Sequence, residues 1–247
     1  MMNMRLLRLG NFGILRQLQI EEAIFRAANE NWCIISRGTE PPAIVMGISG
    51  KPHMLMDVEK VSAAKVPVIK RFTGGGTVVV DSNTTFVTFI CNTEALNVKP
   101  WPREIMKWSG GIYENVFGGA SGFRLEENDY CFGHKKFGGN AQAVSRNRFV
   151  HHTSFLWDYD PDNMDLLTIP QKRPKYRGDR KHSDFLVTMK DFGLSRHDVS
   201  VLESRDLFES AVERELHNHF DVLPTTIFEA EKALQMPHRC GTKIVDL

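Results

Sequence analysis

Three short stretches hold residues whose types and spacing suit chemistry. The first is Arg71-Phe72-Thr73-Gly74-Gly75-Gly76-Thr77. Consecutive glycines let backbone approach a ligand closely and can turn N–H groups toward an anion or a carbonyl. The arginine at its head carries a planar fork that matches phosphate or carboxylate. No Gly-Lys-Ser/Thr follows, so the run is not a P-loop. A β-prone Thr77-Val78-Val79-Val80 comes next rather than a helix, so it is not a dinucleotide-binding turn either. Taken alone, it also reads as a flexible turn before a strand. The second stretch is Lys135-Lys136-Phe137-Gly138-Gly139-Asn140-Ala141-Gln142. A lysine beside glycines and small residues can reach into a cleft and neutralise a carboxylate or phosphate. The same residues also read as a solvated lysine pair in a hairpin turn. The third is His151-His152-Thr153-Ser154. Adjacent strand residues point to opposite faces, so at most one of the two histidines faces a given site. A histidine satisfied in the core is the plainer reading for either.

The order and spacing of these stretches say more than any one of them. Together they resemble the lipoate–protein ligase A family, within the larger biotin/lipoate ligase superfamily. The family's Arg-x-Ser/Thr-Gly-Gly-Gly-Ala-Val run, followed by an aromatic, His and Asp, is similar to Arg71 and Thr73 through Asp81. Its Asn-Asp is matched by Asn128-Asp129, and its Lys-x-x-Gly-x-Ala-Gln by Lys136, Gly139, Ala141 and Gln142. Its His-His-Gly-Thr resembles His151-His152-Thr153-Ser154, and its early Glu-Glu-Ala helix resembles Glu21-Glu22-Ala23. The likeness spans roughly residues 18–160.

The resemblance implies an α+β fold, a mixed and largely antiparallel sheet packed with helices, as in biotin/lipoate ligase catalytic domains (class II synthetase-like). It implies ATP-dependent activation of lipoate or octanoate to an acyl-adenylate, then transfer to a lysine of a lipoyl domain. Such acceptors belong to 2-oxoacid dehydrogenases or the glycine cleavage H protein. Lys136 is then the catalytic cation, and Arg71 helps hold carboxylate or phosphate. Gly74, Gly75 and Gly76 leave room for acyl chain and adenylate, and Val78, Val79 and Ala141 line an apolar slot. Asn128 and Asp129 contact the nucleotide or Mg2+, with Asp129 the candidate metal ligand. Thr73, Thr77, Gly139, Asn140 and His152 complete the binding set. The acyl-adenylate is labile, so a shielding loop is expected, and the basic stretch 171–182 is a candidate. The chain departs from the family pattern at Val80, where the family has His, and at Ile48 and Gly50. Valine neither donates hydrogen bonds nor takes protons, so these changes point to a different acyl substrate or a weakened activation step. Two other readings remain. One is an ATP-independent octanoyl or lipoyl transferase, with Cys131 as candidate nucleophile. The other is a non-catalytic acyl-binding paralogue. The Gly-Arg-Gly-Arg-type loop of biotin ligases is absent at residues 71–76.

Elements must position these residues. Ile20, Ala23, Ile24, Ala27 and Ala28 give a helix over 20–31 with one apolar face. Short strands are expected at 33–36, 43–47 and 66–70, with a short helix over 57–65 between the last two. Residues 77–80 and 86–91 read as an antiparallel hairpin turning at Asp81-Ser82-Asn83. A long helix is expected over 101–117, with Trp101 and Trp108 on its core side. A second hairpin turns near Gly133-His134 between 130–132 and 138–144, and 149–157 is a further strand. Helices over 199–219 and 226–235 close a single domain spanning 1–247.

Composition sets the outer bounds. The chain has 247 residues, 42% of them hydrophobic, and a formal charge of +1. These are globular values, and the near-neutral balance argues against general nucleic-acid binding. No run approaches the ~18 apolar residues of a membrane span. Cys33, Cys91, Cys131 and Cys240 form no C-x-x-C pair, which fits a reduced compartment. Arg5, Arg8 and Arg16 stand in an acid-free start that fits a short mitochondrial presequence. Leu6, Leu7 and Leu9 fit a first core strand of a cytoplasmic protein equally well. Set against the resemblance, the chain covers a catalytic domain and little more. A separate accessory protein for the ATP step is therefore expected, or a chain that transfers acyl groups already activated.

Overall fold

Most of the strands carry apolar side chains on both faces, and that decides the architecture. In a computed structural model of the chain, residues 2–119, 122–169, 173–195 and 199–247 are described. The strands are β1 (Met2–Leu9), β2 (Asn31–Arg37), β3 (Ala43–Met46), β4 (Val68–Lys70), β5 (Val78–Val80) and β6 (Thr84–Asn92), then β7 (Phe123–Glu126), β8 (Asp129–Phe132), β9 (Lys135–Val144), β10 (Arg148–Leu156), β11 (Phe220–Thr225) and β12 (Lys243–Ile244). An eight-stranded sheet runs β11-β1-β2-β6-β10-β9-β8-β7, and a four-stranded sheet runs β12-β4-β3-β5. Only the β11-β1-β2 pairings and β3-β4 are parallel among these. The result is the expected α+β class, a mixed, largely antiparallel arrangement packed with helices.

The alternation of strand side chains builds two cores. Cys33, Ile35, Val87, Phe89 and Phe149 point to one side of the large sheet, beneath α2 (Pro102–Val116) and α3 (Arg205–His219). Their neighbours Trp32, Ile34, Ile90 and Val150 point to the other, beneath α1 (Ile14–Ala27). Period 2 is thus present but hidden, because both faces are buried. α1 starts earlier than the periodicity predicts. Its first turn carries Ile14 and Leu18 onto the small sheet, against Val45, Ile69 and Val80. The helix is therefore wedged between two sheets, and an apolar-face count around Ile20–Ala28 sees only one of them.

The expected hairpin between 77–80 and 86–91 does not form. β5 pairs antiparallel with β3 in the small sheet, Ile44 opposite Val79. β6 lies between β2 and β10 in the large sheet. Asp81 makes the corner, its carboxylate accepting from Asn83 N–H at 2.8 Å and its carbonyl from Thr84 N–H at 3.1 Å. β-propensity identified both strands, but partner choice is non-local. The second hairpin stands as read, with Gly133 at φ 57° in its turn. Trp108 packs edge-on against Phe89, but Trp101 is 63% exposed at the helix start, not core.

The chain's closing part also differs in detail. Ser204 caps α3 by accepting from Leu207 N–H, so the expected helix 199–219 is broken, with only a 3-10 turn at Ser200–Leu202 before the cap. The expected helix 226–235 is a short helix Ile227–Glu231 followed by a 3-10 turn. Between them β11 adds to β1, and near the end β12 adds to β4. The basic start is the inner strand β1, with Met4, Leu6 and Leu7 buried. Arg5, Arg8 and Arg16 each meet a carboxylate, on Glu30, Glu213 and Glu231. No helix among the described residues is long and apolar enough to cross a membrane.

Candidate functional site

A cleft of about 90 Å3 opens between the small sheet and the β9–β10 face of the large one. β5 supplies Val78 and Val79, preceded by Thr77; β9 supplies Lys136 and Gly139; β10 supplies Ser154 and Leu156. Arg177, His182, Phe185 and Leu186 close it from a strap of chain over residues 173–187. The strap is pinned to the site itself, because Val187 N–H donates to the Lys136 carbonyl at 3.0 Å.

Lys136 and Asp129 form the polar centre. The Lys136 ammonium lies 2.7 Å from Asp129 Oδ1 and keeps about a quarter of its surface exposed. The Tyr176 hydroxyl, from the strap, donates to Asp129 Oδ2 at 2.9 Å. A shift in the β8–β9 register between Tyr130 and Cys131 accompanies this arrangement. Gly139 is small for a reason, since a Cβ there would sit 3.3 Å from Lys136 Nζ. Among the described residues no group of three or more His, Cys, Asp or Glu could hold a metal ion. Asp129 is a single carboxylate with both oxygens engaged, which does not fit a resident cation site.

Arg71 sits beneath the glycine run rather than in the cleft. Its Nε donates to Thr73 Oγ1 at 2.8 Å, Nη1 to the Val45 carbonyl at 3.2 Å, and Nη2 to the Gly76 carbonyl at 2.7 Å. Burial lowers its pKa to about 10. The guanidinium thus shapes the loop that the glycines make. Gly75 has φ 118°, and a Cβ on it would lie 2.7 Å from Arg71 Nη2. Gly74 N–H is committed to the Gln142 carbonyl at 3.0 Å, so it is not free for a ligand. A Cβ on Gly76 would meet nothing within 4 Å. Ala141 lies close under Gly75. Asn128 is exposed and offers its carbonyl to Asn140 Nδ2 at 3.0 Å, while Asn140 Oδ1 accepts from Thr153 at 2.8 Å.

The two histidines separate as strand geometry requires. His151 enters a buried chain, with Tyr130 at 3.2 Å and Gln142 at 3.0 Å, and Ser109 of α2 beyond Tyr130. Burial, with His152 adjacent, lowers its pKa to about 3, so it is neutral. His152 faces α1, with Nδ1 2.7 Å from the fully buried Glu21 carboxylate and Nε2 without a partner. The sequence reading matched Glu21 to a motif but gave it no role. Its position beside the apolar face of α1 was the available signal. Arg177, Tyr176 and His182 were also missed as individual residues; only the basic composition of 171–182 marked them. Lys172 of that stretch lies outside the described residues.

Other candidates are excluded from the cleft chemistry by burial. Cys131 is fully buried, and burial pushes its thiol up to about 11. A nucleophilic cysteine needs the opposite, an accessible thiol with a lowered pKa. Val80 packs in the core of the small sheet with Val45 and Phe86.

Two sheets meet at a lysine–carboxylate cleft covered by a basic strap, in an α+β domain packed with helices. Residues 14–213 match the lipoyl protein ligase A/B catalytic domain, and the chain belongs to that family. A Plasmodium falciparum protein named inactive lipoate–protein ligase 2 is 31% identical over 235 residues, covering 72% of this chain and 61% of that protein. A putative lipoate-protein ligase A of Aeropyrum pernix is 26% identical over 163 residues, covering 66% and 61%. The chain therefore spans about 61% of the length of these curated relatives. Among solved structures, a lipoate-protein ligase A bound with ATP superposes with TM-score 0.76 at 19% identity, covering 95% of this chain and 92% of that one. The bipartite lipoate protein ligase of Thermoplasma acidophilum, studied with its E2 lipoyl domain, gives TM-score 0.74 at 21% identity, covering 95% and 91%. These two likenesses concern the fold.

Proposed function

We propose that the cleft binds a medium-chain acyl group, lipoate or octanoate, and transfers it to a lysine of a lipoyl domain after activation by ATP. The observation that carries this reading is the Lys136–Asp129 pair at the polar end of an apolar slot lined by Val78, Val79 and Leu156. A carboxylate and an ATP α-phosphate repel each other. A positioned ammonium offsets that repulsion as the carboxylate oxygen bonds to phosphorus and pyrophosphate departs. In the second step the acceptor lysine amine attacks the acyl carbonyl. The carbonyl–phosphate oxygen bond breaks, AMP leaves, and the amine gives up a proton. The strap supports the reading because it covers the cleft and excludes water from a labile intermediate. Any Mg2+ would travel with the nucleotide phosphates, as that ion usually does, since Asp129 alone is a poor cage. The lipoyl-domain acceptor is proposed from family membership.

A second reading is favoured by one observation. A relative at 31% identity is named inactive, and Asp129 already neutralises Lys136. In that reading the cleft holds an acyl ligand without activating it.

The purified chain is incubated with ATP, octanoate or lipoate, and a lipoyl domain, and the domain is weighed by mass spectrometry. Acylation is expected, falling by about 100-fold or more in Lys136→Ala. Acyl ligand bound with no acylation, with or without ATP, would favour the second reading.

A further inference from the structure

Three large apolar side chains stand in solvent beside the cleft. Ile48 is 50% exposed, Met54 47% and Ile169 43%. All three are tied to segments that line the cleft. Ile48 N–H donates at 3.0 Å to the carbonyl of Thr73, which opens the glycine run leading to Thr77, Val78 and Val79. Met54 lies on a single helical turn, Pro52–Leu55. Thr168 grips that turn twice, its N–H donating to the Leu55 carbonyl and its hydroxyl to the Met54 carbonyl, both at 3.1 Å. Leu167, one residue earlier, lines the cleft, and Ile169 is one residue later. The Ile48 loop and the turn also meet, since a Cβ on Gly50 would lie 3.1 Å from Leu55 Cδ1. Leu55 and Leu167 pack beneath them into the cluster of Met46 and Met56, which fixes the turn to the small-sheet side of the cleft. Lys51, just before the turn, is exposed as well, and among the described residues it has no ion-pair partner.

Single apolar residues scattered on a surface carry no message, but several gathered beside a cleft mark a surface that meets another molecule. Methionine is favoured at such surfaces because its flexible thioether adapts to a partner. Ile48, Met54 and Ile169 are not among the residues that line the slot, so the patch suits a partner larger than the acyl ligand. We infer that this rim is where the acyl-acceptor protein docks, with apolar side chains of the acceptor covering Ile48, Met54 and Ile169 and an acidic side chain meeting Lys51. The inference rests on the reading of the cleft as an acyl-transfer site. In that reaction the acyl group leaves on a protein lysine, whose amine hangs on a short alkyl stem. The acceptor's surface must therefore come down on the rim of the cleft. Ile48 and Gly50 are also positions at which the chain departs from its family's pattern. The rim thus sets which protein is acylated, while the slot sets which acyl group is carried.

Calorimetric titration of the full chain with an unacylated lipoyl domain of a 2-oxoacid dehydrogenase, and separately with unacylated glycine cleavage H protein, tests it without any chemistry. At least one is expected to bind. Ile48→Asp is expected to weaken that complex by about tenfold or more and Met54→Ser by about threefold or more, as for anchor side chains of an interface. Lys51→Glu is expected to weaken it too, by a factor that shrinks as salt is raised. Phe228→Ser removes a more exposed apolar side chain from the short helix after β11 and is expected to leave affinity within about twofold. In steady-state acylation the rim variants are expected to raise the KM for the acceptor, with octanoate affinity and pyrophosphate release from ATP and octanoate unchanged. Wild-type acceptor affinity in both Ile48→Asp and Met54→Ser overturns the proposal. So does a wild type that binds neither acceptor, or a loss of octanoate affinity in the rim variants. A wild-type dimer that Ile48→Asp dissociates, read by sedimentation, overturns it as well and gives the patch to a second copy of the chain. Rim-dependent acceptor binding in a chain that acylates nothing keeps the inference and removes the catalytic reading. Acylation with a rim-independent KM does the reverse.

Discussion

Gly75 and His151 show how single positions hold the cleft in shape. Gly75 combines φ 118° with a neighbouring guanidinium that a Cβ would strike. Gly75→Ala is expected to cost about 2 kcal/mol or more through backbone strain and displacement of Arg71, read as a fall in the urea midpoint. Gly76→Ala, which adds a methyl into open space, is expected to cost less than half of that. His151 is neutral in the fold with a pKa near 3, while an unfolded histidine titrates near 6.5. Between those values the unfolded chain binds the extra proton. Stability contributed by this residue is therefore full above about pH 6.5 and is lost as pH falls toward 3, by up to about 1.4 kcal/mol per pH unit. Urea titrations at several pH values should show a shallower acid slope in His151→Gln, whose amide can still bond Tyr130.

Elements are joined to the site by charges as well as by apolar packing. α3 presents Asp206, Glu209 and Glu213 to Arg8 of β1 and Arg37 of β2. Glu209 is buried, and its two oxygens take Arg37 Nε at 2.6 Å and Nη2 at 2.9 Å. Exposed pairs are worth little, but removing one partner of a buried carboxylate is not. Arg37→Met should lower stability by about 2 kcal/mol, with most of the loss absent in the double variant Arg37→Met, Glu209→Met. The strap is held differently. Its ties run through Tyr176 to Asp129 and through Val187 to the Lys136 carbonyl. Further ties run from Tyr176 N–H to the Glu127 carboxylate and from Arg180 to the His134 carbonyl, so the strap is held both to the site and to the hairpin beside it.

At the scale of the whole molecule, the far ends of the chain complete both sheets. Met2 lies opposite Phe220 in the large sheet. In the small sheet, Lys243 lies opposite Lys70, one residue before Arg71. The fully buried Glu22 of α1 anchors this tail, accepting from Gly241 N–H at 2.8 Å and Thr242 N–H at 2.9 Å and pairing with Arg26 at 2.8 Å. Glu22→Gln should leave the large sheet intact while hydrogen exchange at the Gly241 and Thr242 amides accelerates by about tenfold or more. An unchanged exchange rate would mean that β12 pairing alone holds the tail.

That Lys136 and Asp129 meet was decided by the fold, but by itself the sequence determined the class of fold, the family, and a hairpin turning near Gly133, with both residues singled out by the motifs they match. Those are local facts: a turn at Gly133, a lysine spaced from a glycine, and β-prone runs on either side. It also separated His151 from His152, because strand alternation is a property of the backbone. What it could not determine was partnership over distance. The valines of β5 pair with β3 in the small sheet rather than with the adjacent β6, since an apolar strand with two buried faces suits many partners. Glu21 met a histidine on β10, and Arg177 arrived in the cleft from a segment whose composition said only that it was basic. Only the tertiary structure distinguished a charge that is neutralised from one that is not, because neutralisation depends on which groups the fold brings within a few ångströms.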